Sequence, residues 1–88
     1  MEKIRVAGVQ IGCQPGQIAN NIDKAVTWLE KAVEETRPRL VVFPETITTG
    51  FVPGMTVEKL WEVIDEIPGR LTEKICRAAK RLGVYVVW

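Results

Sequence analysis

Histidine is absent from this 88-residue sequence, and cysteine occurs only at Cys13 and Cys76. The first absence excludes a Ser-His-Asp or Cys-His catalytic arrangement built within the chain. It also removes the side chain that most often binds a transition metal, so no metal site is expected. The two cysteines form no CxxC pair, which leaves zinc and dithiol motifs without support. Long apolar runs are missing too. The longest, Val84 to Trp88, has five residues, far below the roughly 20 that span a bilayer. Neither sign of charge dominates: 12 basic and 11 acidic residues are interspersed for a net charge of +1. Such a balance offers no electrostatic case for nucleic acid or an anionic membrane. The start, MEKIRVAGVQ, has no signal-peptide core or cleavage site. A cytoplasmic location with reduced thiols is the expectation.

What is present is ordinary for a globular chain: 47% hydrophobic and 26% charged residues. The length suits one domain or one piece of a domain. Residues 3–11, KIRVAGVQI, read as a strand carrying Ile4, Val6, Val9 and Ile11. Gly12, Pro15 and Gly16 break it. Residues 20–36 then place Ile22, Val26, Leu29 and Val33 on one stripe of a helix. Asn20 or Asn21 is positioned to cap the first turn, and Pro38 stops the helix. Residues 40–43, LVVF, are apolar throughout, as in a strand covered on both faces. Strand, helix and strand in this order favour a parallel pair.

After a loop over 46–56, residues 57–67 repeat Val57, Leu60, Trp61, Ile64 and Ile67 at helical spacing. Residues 71–83 predict a further helix, with Thr72 as N-cap, Leu71 and Cys76 placed for a hydrophobic staple, and Gly83 at its end. VYVVW begins a last strand, and the sequence stops within it. An open apolar strand invites aggregation. Residues 1–88 are therefore expected to be the leading portion of a longer fold, or an element that docks onto another chain.

The stretch 40–51, LVVFPETITTGF, concentrates the chemistry. In parallel α/β sheets ligands gather beyond the carboxyl ends of the strands, and Glu45 follows such an end. A carboxylate on a rigid strand terminus suits a general base. Pro-Glu alone fits better an exposed carboxylate that pairs with an arginine or caps a turn; the neighbouring motifs change that weighting. The glycines of GCQPGQ match neither a phosphate loop nor GxGxxG.

AGVQ near the start, Asn21, LVVFPE, TTGF and the final GVYVVW form an ordered set that resembles the nitrilase superfamily, the carbon–nitrogen hydrolases. The likeness runs over the whole chain and corresponds to the amino-terminal portion of such a domain. It implies an α/β/β/α sandwich and a Glu–Lys–Cys triad acting on a small amide, nitrile or carbamoyl compound without metal or organic cofactor. The family's glutamate falls on Glu45. Its lysine and cysteine have no counterpart here: Lys59, Lys74 and Lys80 lie on predicted helices. Cys76 is expected to be a small core residue, and Cys13 precedes the glutamate. The likeness puts Thr48, Thr49 and Phe51 at a pocket wall. Alternatively, Gly50 makes the turn and Phe51 packs on the domain. A small-molecule substrate and a homo-oligomer follow from the same resemblance. The competing expectation is a non-catalytic α/β interaction module docking on a partner chain, with Glu45 a surface group.

Overall fold

The computed structural model describes residues 2–45, 47–48, 56–63, 69–70 and 72–88. Its elements run β1 (Val6–Gly8), α1 (Ile18–Thr36), β2 (Leu40–Val42), α2 (Val57–Val63), α3 (Glu73–Leu82) and β3 (Tyr85–Val87). The three strands make one parallel sheet in the order β1-β2-β3. Val6 is registered with Leu40 and Leu40 with Tyr85; Gly8, Val42 and Val87 align in the same way. The α/β class and the element order expected from the sequence are those observed.

Register fixes which side chains share a face, because successive residues of a strand point to opposite sides. Ala7, Val41 and Val86 fall on one face, together with Val9, Phe43 and Trp88. These residues pack with Ala25 and Leu29 of α1 and with Ile75 and Ala78 of α3 in one core. On the other face lie Val6, Leu40, Val42, Tyr85 and Val87. There Leu40 and Val42 are half-buried, and Val6, Tyr85 and Val87 are exposed, Tyr85 at 73%. LVVF is thus buried on one side, not on both. Two parallel crossovers that advance across the sheet in one direction with the same hand leave their helices on the same face.

The same parity corrects β1. In an extended strand Ile4 and Val6, at even positions, cannot share a face with Val9 and Ile11, at odd positions. The observed strand is short, Ile4 and Val6 are exposed, Ile11 is half-buried, and Val9 alone of the four is buried.

The α1 stripe is largely as read: Ile22 and Leu29 are buried, Val26 and Val33 half-buried, and Ala25 completes the buried line. The helix begins two residues earlier than expected, and its N-cap is Gln17, which makes no side-chain capping bond. It ends on Arg37, in the left-handed region at φ 47°, just before Pro38. The Arg5 Nη1 donates to the Thr36 carbonyl at 2.8 Å, supplying a cation where the helix dipole favours one.

α1 and α3 run parallel. Lys74 pairs with Asp23 at 3.0 Å and Arg81 with Glu30 at 3.4 Å, so both helices advance seven residues between contacts. Thr72 precedes α3, but its hydroxyl bonds the Gly69 amide and carbonyl and not the helix. Gly83, at φ 70°, ends α3 with its N–H on the Lys80 carbonyl, while the Val84 N–H reaches Ala79. That pair of bonds is a Schellman closure, which needs the left-handed conformation glycine adopts without strain.

Cys76 is exposed, contrary to its expected core place. The inward face of α3 is Ile75, Ala78, Ala79 and Leu82, a stripe that leaves position 76 to one side. Leu71, the other half of the expected staple, lies outside the described residues. Thr56 caps α2, its hydroxyl accepting from the Lys59 N–H at 3.2 Å. On α2, Val57 and Trp61 are exposed, Trp61 at 72%, beside the exposed charged residues Glu58, Lys59 and Glu62. Among the described residues no helix is long and apolar enough to cross a membrane.

Candidate functional site

Parallel pairing carries the carboxyl ends of all three strands to one rim. Two hydrogen bonds extend the ladders past the strands: Val9 N to the Val42 carbonyl and Phe43 N to the Val87 carbonyl, both 2.8 Å. Phe43 is therefore still held in the sheet. Its ring also meets Trp88 edge-on, with centroids 6.4 Å apart and planes at 74°.

Glu45 follows two residues later, in a turn, with its side chain exposed. Two residues beyond it, Ile47 is buried in the core. The carboxylate thus stands between two hydrophobic anchors, Phe43 and Ile47, that fix the backbone on either side. Among the described residues no ion pair or hydrogen bond engages it. The arginine-paired surface carboxylate that Pro-Glu alone allowed is not seen among them. Glu45 is thus an exposed carboxylate in a turn at the carboxyl rim of the sheet, the side on which α/β sheets bind ligands.

The loop after β1 reaches the same rim. Pro15 and Gly16, with Gly16 at φ 74° and the Gln17 N–H on the Gln14 carbonyl at 3.1 Å, form a type II turn. Its Pro-Gly pair was legible as a break. Asn21, one turn into α1 and 2% exposed, fastens this loop and the Glu45 segment together. Its Oδ1 accepts the Gln14 N–H at 2.9 Å. Its Nδ2 donates to the Gln14 carbonyl at 2.8 Å and to the Thr48 carbonyl at 2.9 Å. Asn21 was expected as a helix cap, a role the structure does not give it. Its type and its place near a helix start were signals of a local bond; nothing in the sequence marked the partners.

The other expected site residues divide plainly. Thr48 is half-buried and lends its carbonyl to Asn21. Thr49 and Phe51 lie outside the described residues. Cys13 is on the β1–α1 loop, half-buried and packed against the core, and no disulfide joins it to Cys76. Lys74 is engaged with Asp23 of α1 at 3.0 Å. Lys59 and Lys80 are exposed on α2 and α3. Among the described residues no three His, Cys, Asp or Glu side chains are grouped as metal ligands would be.

Compared with known proteins, residues 5–88 match the family model described as carbon-nitrogen hydrolase. Among curated proteins the chain found no match.

Proposed function

This chain belongs to the carbon–nitrogen hydrolase family, and from that premise we propose that Glu45 is the general base of a hydrolase acting on non-peptide C–N bonds. The substrate class is a small amide, nitrile or carbamoyl compound. The observation that carries the reading is the placement of Glu45: an exposed carboxylate at the sheet's carboxyl rim, anchored by buried Phe43 and Ile47.

A carboxylate held this way takes the proton of a thiol brought against it. The thiolate attacks the carbonyl or nitrile carbon and forms a covalent intermediate. For an amide, the C–N bond breaks, the amine leaves with a proton, and water later cleaves the thioester. A cation beside the reacting oxygen stabilises the charge that builds there. By family likeness that cation is a lysine and the nucleophile a cysteine, both supplied from outside these 88 residues. The proposed partners are the small-molecule substrate and further copies of the protein, and the reaction calls for no metal or organic cofactor.

The test is Glu45→Gln in the full-length gene product, assayed by ammonia release from a panel of small amides and nitriles. The amide is isosteric but cannot accept the thiol proton. Removing a general base lowers the rate by about 10²–10⁴. That fall is expected in kcat, with an unchanged circular dichroism spectrum. A rate within a few-fold of the parent protein overturns the role.

The interaction-module reading has its own observation, the exposed apolar residues Val6, Tyr85, Val87 and Trp61. It differs in its consequence: Glu45→Gln would change nothing measurable. Reading the gene beyond codon 88 separates the two, since only the hydrolase requires a strand-end Lys followed by a strand-end Cys.

A further inference from the structure

We infer that Asn21 is a positioning residue for Glu45, holding the segment after β2 against the β1–α1 loop so that the carboxylate keeps one place at the rim. The inference rests on the proposed role of Glu45 and adds the device that maintains it.

Asn21 is a polar side chain almost wholly removed from water, on a helix whose other buried residues are apolar, Ile22, Ala25 and Leu29. Such a group is destabilising unless its hydrogen bonds are made, and here both ends of the amide are used. One oxygen and one hydrogen grip the backbone of Gln14 like a strand partner, through Gln14 N at 2.9 Å and Gln14 O at 2.8 Å. The second hydrogen crosses to the Thr48 carbonyl at 2.9 Å. Gln14 lies seven residues before Asn21 and Thr48 lies 27 after it. One side chain therefore ties together the two loops that leave β1 and β2 at the same end of the sheet.

Glu45 lies three residues before Thr48 in the second of those loops. Phe43 is fixed on the strand side by its N–H on the Val87 carbonyl, whereas beyond Glu45 the core contact of Ile47 is apolar and non-directional. The bond to Thr48 is directional and sets the height and rotation of the turn that carries Glu45. Aspartate at position 21 is a sharp discriminator. It retains an acceptor for the Gln14 N–H, but turns an oxygen, where Nδ2 was a donor, toward the Gln14 and Thr48 carbonyls. Alanine removes all three bonds.

The experiment uses the full-length gene product and the small amide or nitrile it turns over fastest in the ammonia-release panel. Asn21→Asp and Asn21→Ala are each made alone and in a Glu45→Asp background, which keeps a shortened, displaced base and a measurable rate. A displacement of about 1 Å at a reacting group costs up to roughly 100-fold. Each single variant is expected to lower kcat roughly 10- to 100-fold, with KM within about threefold, at a temperature where circular dichroism shows the variant folded. In the Glu45→Asp background the same substitutions are expected to cost less than about threefold, because the base is already out of place. That non-additivity is the mark of two residues acting through one position.

Equal losses in both backgrounds, or a kcat within threefold of the parent in the single variants, overturn the inference. So does loss of the folded state in both variants, which makes Asn21 a residue of the fold alone. Failure of the underlying reading looks different: Glu45→Gln then turns over at the parent rate whatever stands at position 21.

Discussion

Arg37 adopts a backbone conformation, φ 47° and ψ 58°, that costs an L-residue roughly 1–2 kcal/mol. The position needs it, because the chain must leave α1 within one residue and enter Pro38 and then β2. The Arg37 N–H still bonds the Val33 carbonyl at 3.0 Å, so the strain is confined to one φ. At the end of α3 the same job falls to Gly83 without that cost. Arg37→Gly is accordingly expected to stabilise the protein by about 0.5–1 kcal/mol, the relief of strain less the extra freedom glycine gives the unfolded chain. Urea denaturation of the two proteins checks it; a lower midpoint for the variant contradicts it. Asn21 shows the limit of reading single residues. Asparagine near a helix start signals a cap, and a cap was the natural expectation. Its real partners are backbone groups of Gln14 and Thr48, and backbone groups are the same at every position, so no residue type announced them. Glu45 was singled out by its place after a strand together with the family resemblance of the motifs around it, not by Pro-Glu alone; the burial of Ile47 two residues on was not legible.

Elements divide by how much their pattern repeats. α1 spans five turns, and its stripe recurs often enough to identify the helix and its inner face. α3 is shorter but has Gly83 to mark its end. The strands are three residues each, too short for period-two alternation to fix their limits, and β1 was read across a change of parity that only the register with β2 exposes. Packing also ranks the contributions. Leu29 is fully buried between helix and sheet, whereas the Lys74–Asp23 and Arg81–Glu30 pairs joining α1 to α3 are largely solvent-exposed. Leu29→Ala is expected to destabilise by about 3–5 kcal/mol through lost transfer energy and a residual cavity. Lys74→Ala is expected to change stability by less than about 0.5 kcal/mol, since solvent and salt screen such pairs. Thermal melts of the two variants test the ranking. A larger effect from Lys74→Ala would mean that charge, and not the apolar core, holds α3 on α1.

At the scale of the whole molecule, one sheet face is covered by α1 and α3 and the other presents Val6, Leu40, Val42, Tyr85 and Val87. Sequence composition could not separate the faces, because both are apolar; the order of the strands and the common side of the crossovers do. The same topology brings the carboxyl ends of β1, β2 and β3 to one rim, and the account of function depends on Glu45 standing there as a base. Intact-mass spectrometry of the full-length protein, quenched within one turnover of a small amide or nitrile, observes the step directly. The parent protein is expected to show the mass of a covalent intermediate on its nucleophilic thiol, and Glu45→Gln to show none over the same interval. Formation of that adduct at the parent rate in Glu45→Gln would contradict the claim that this carboxylate takes the thiol's proton.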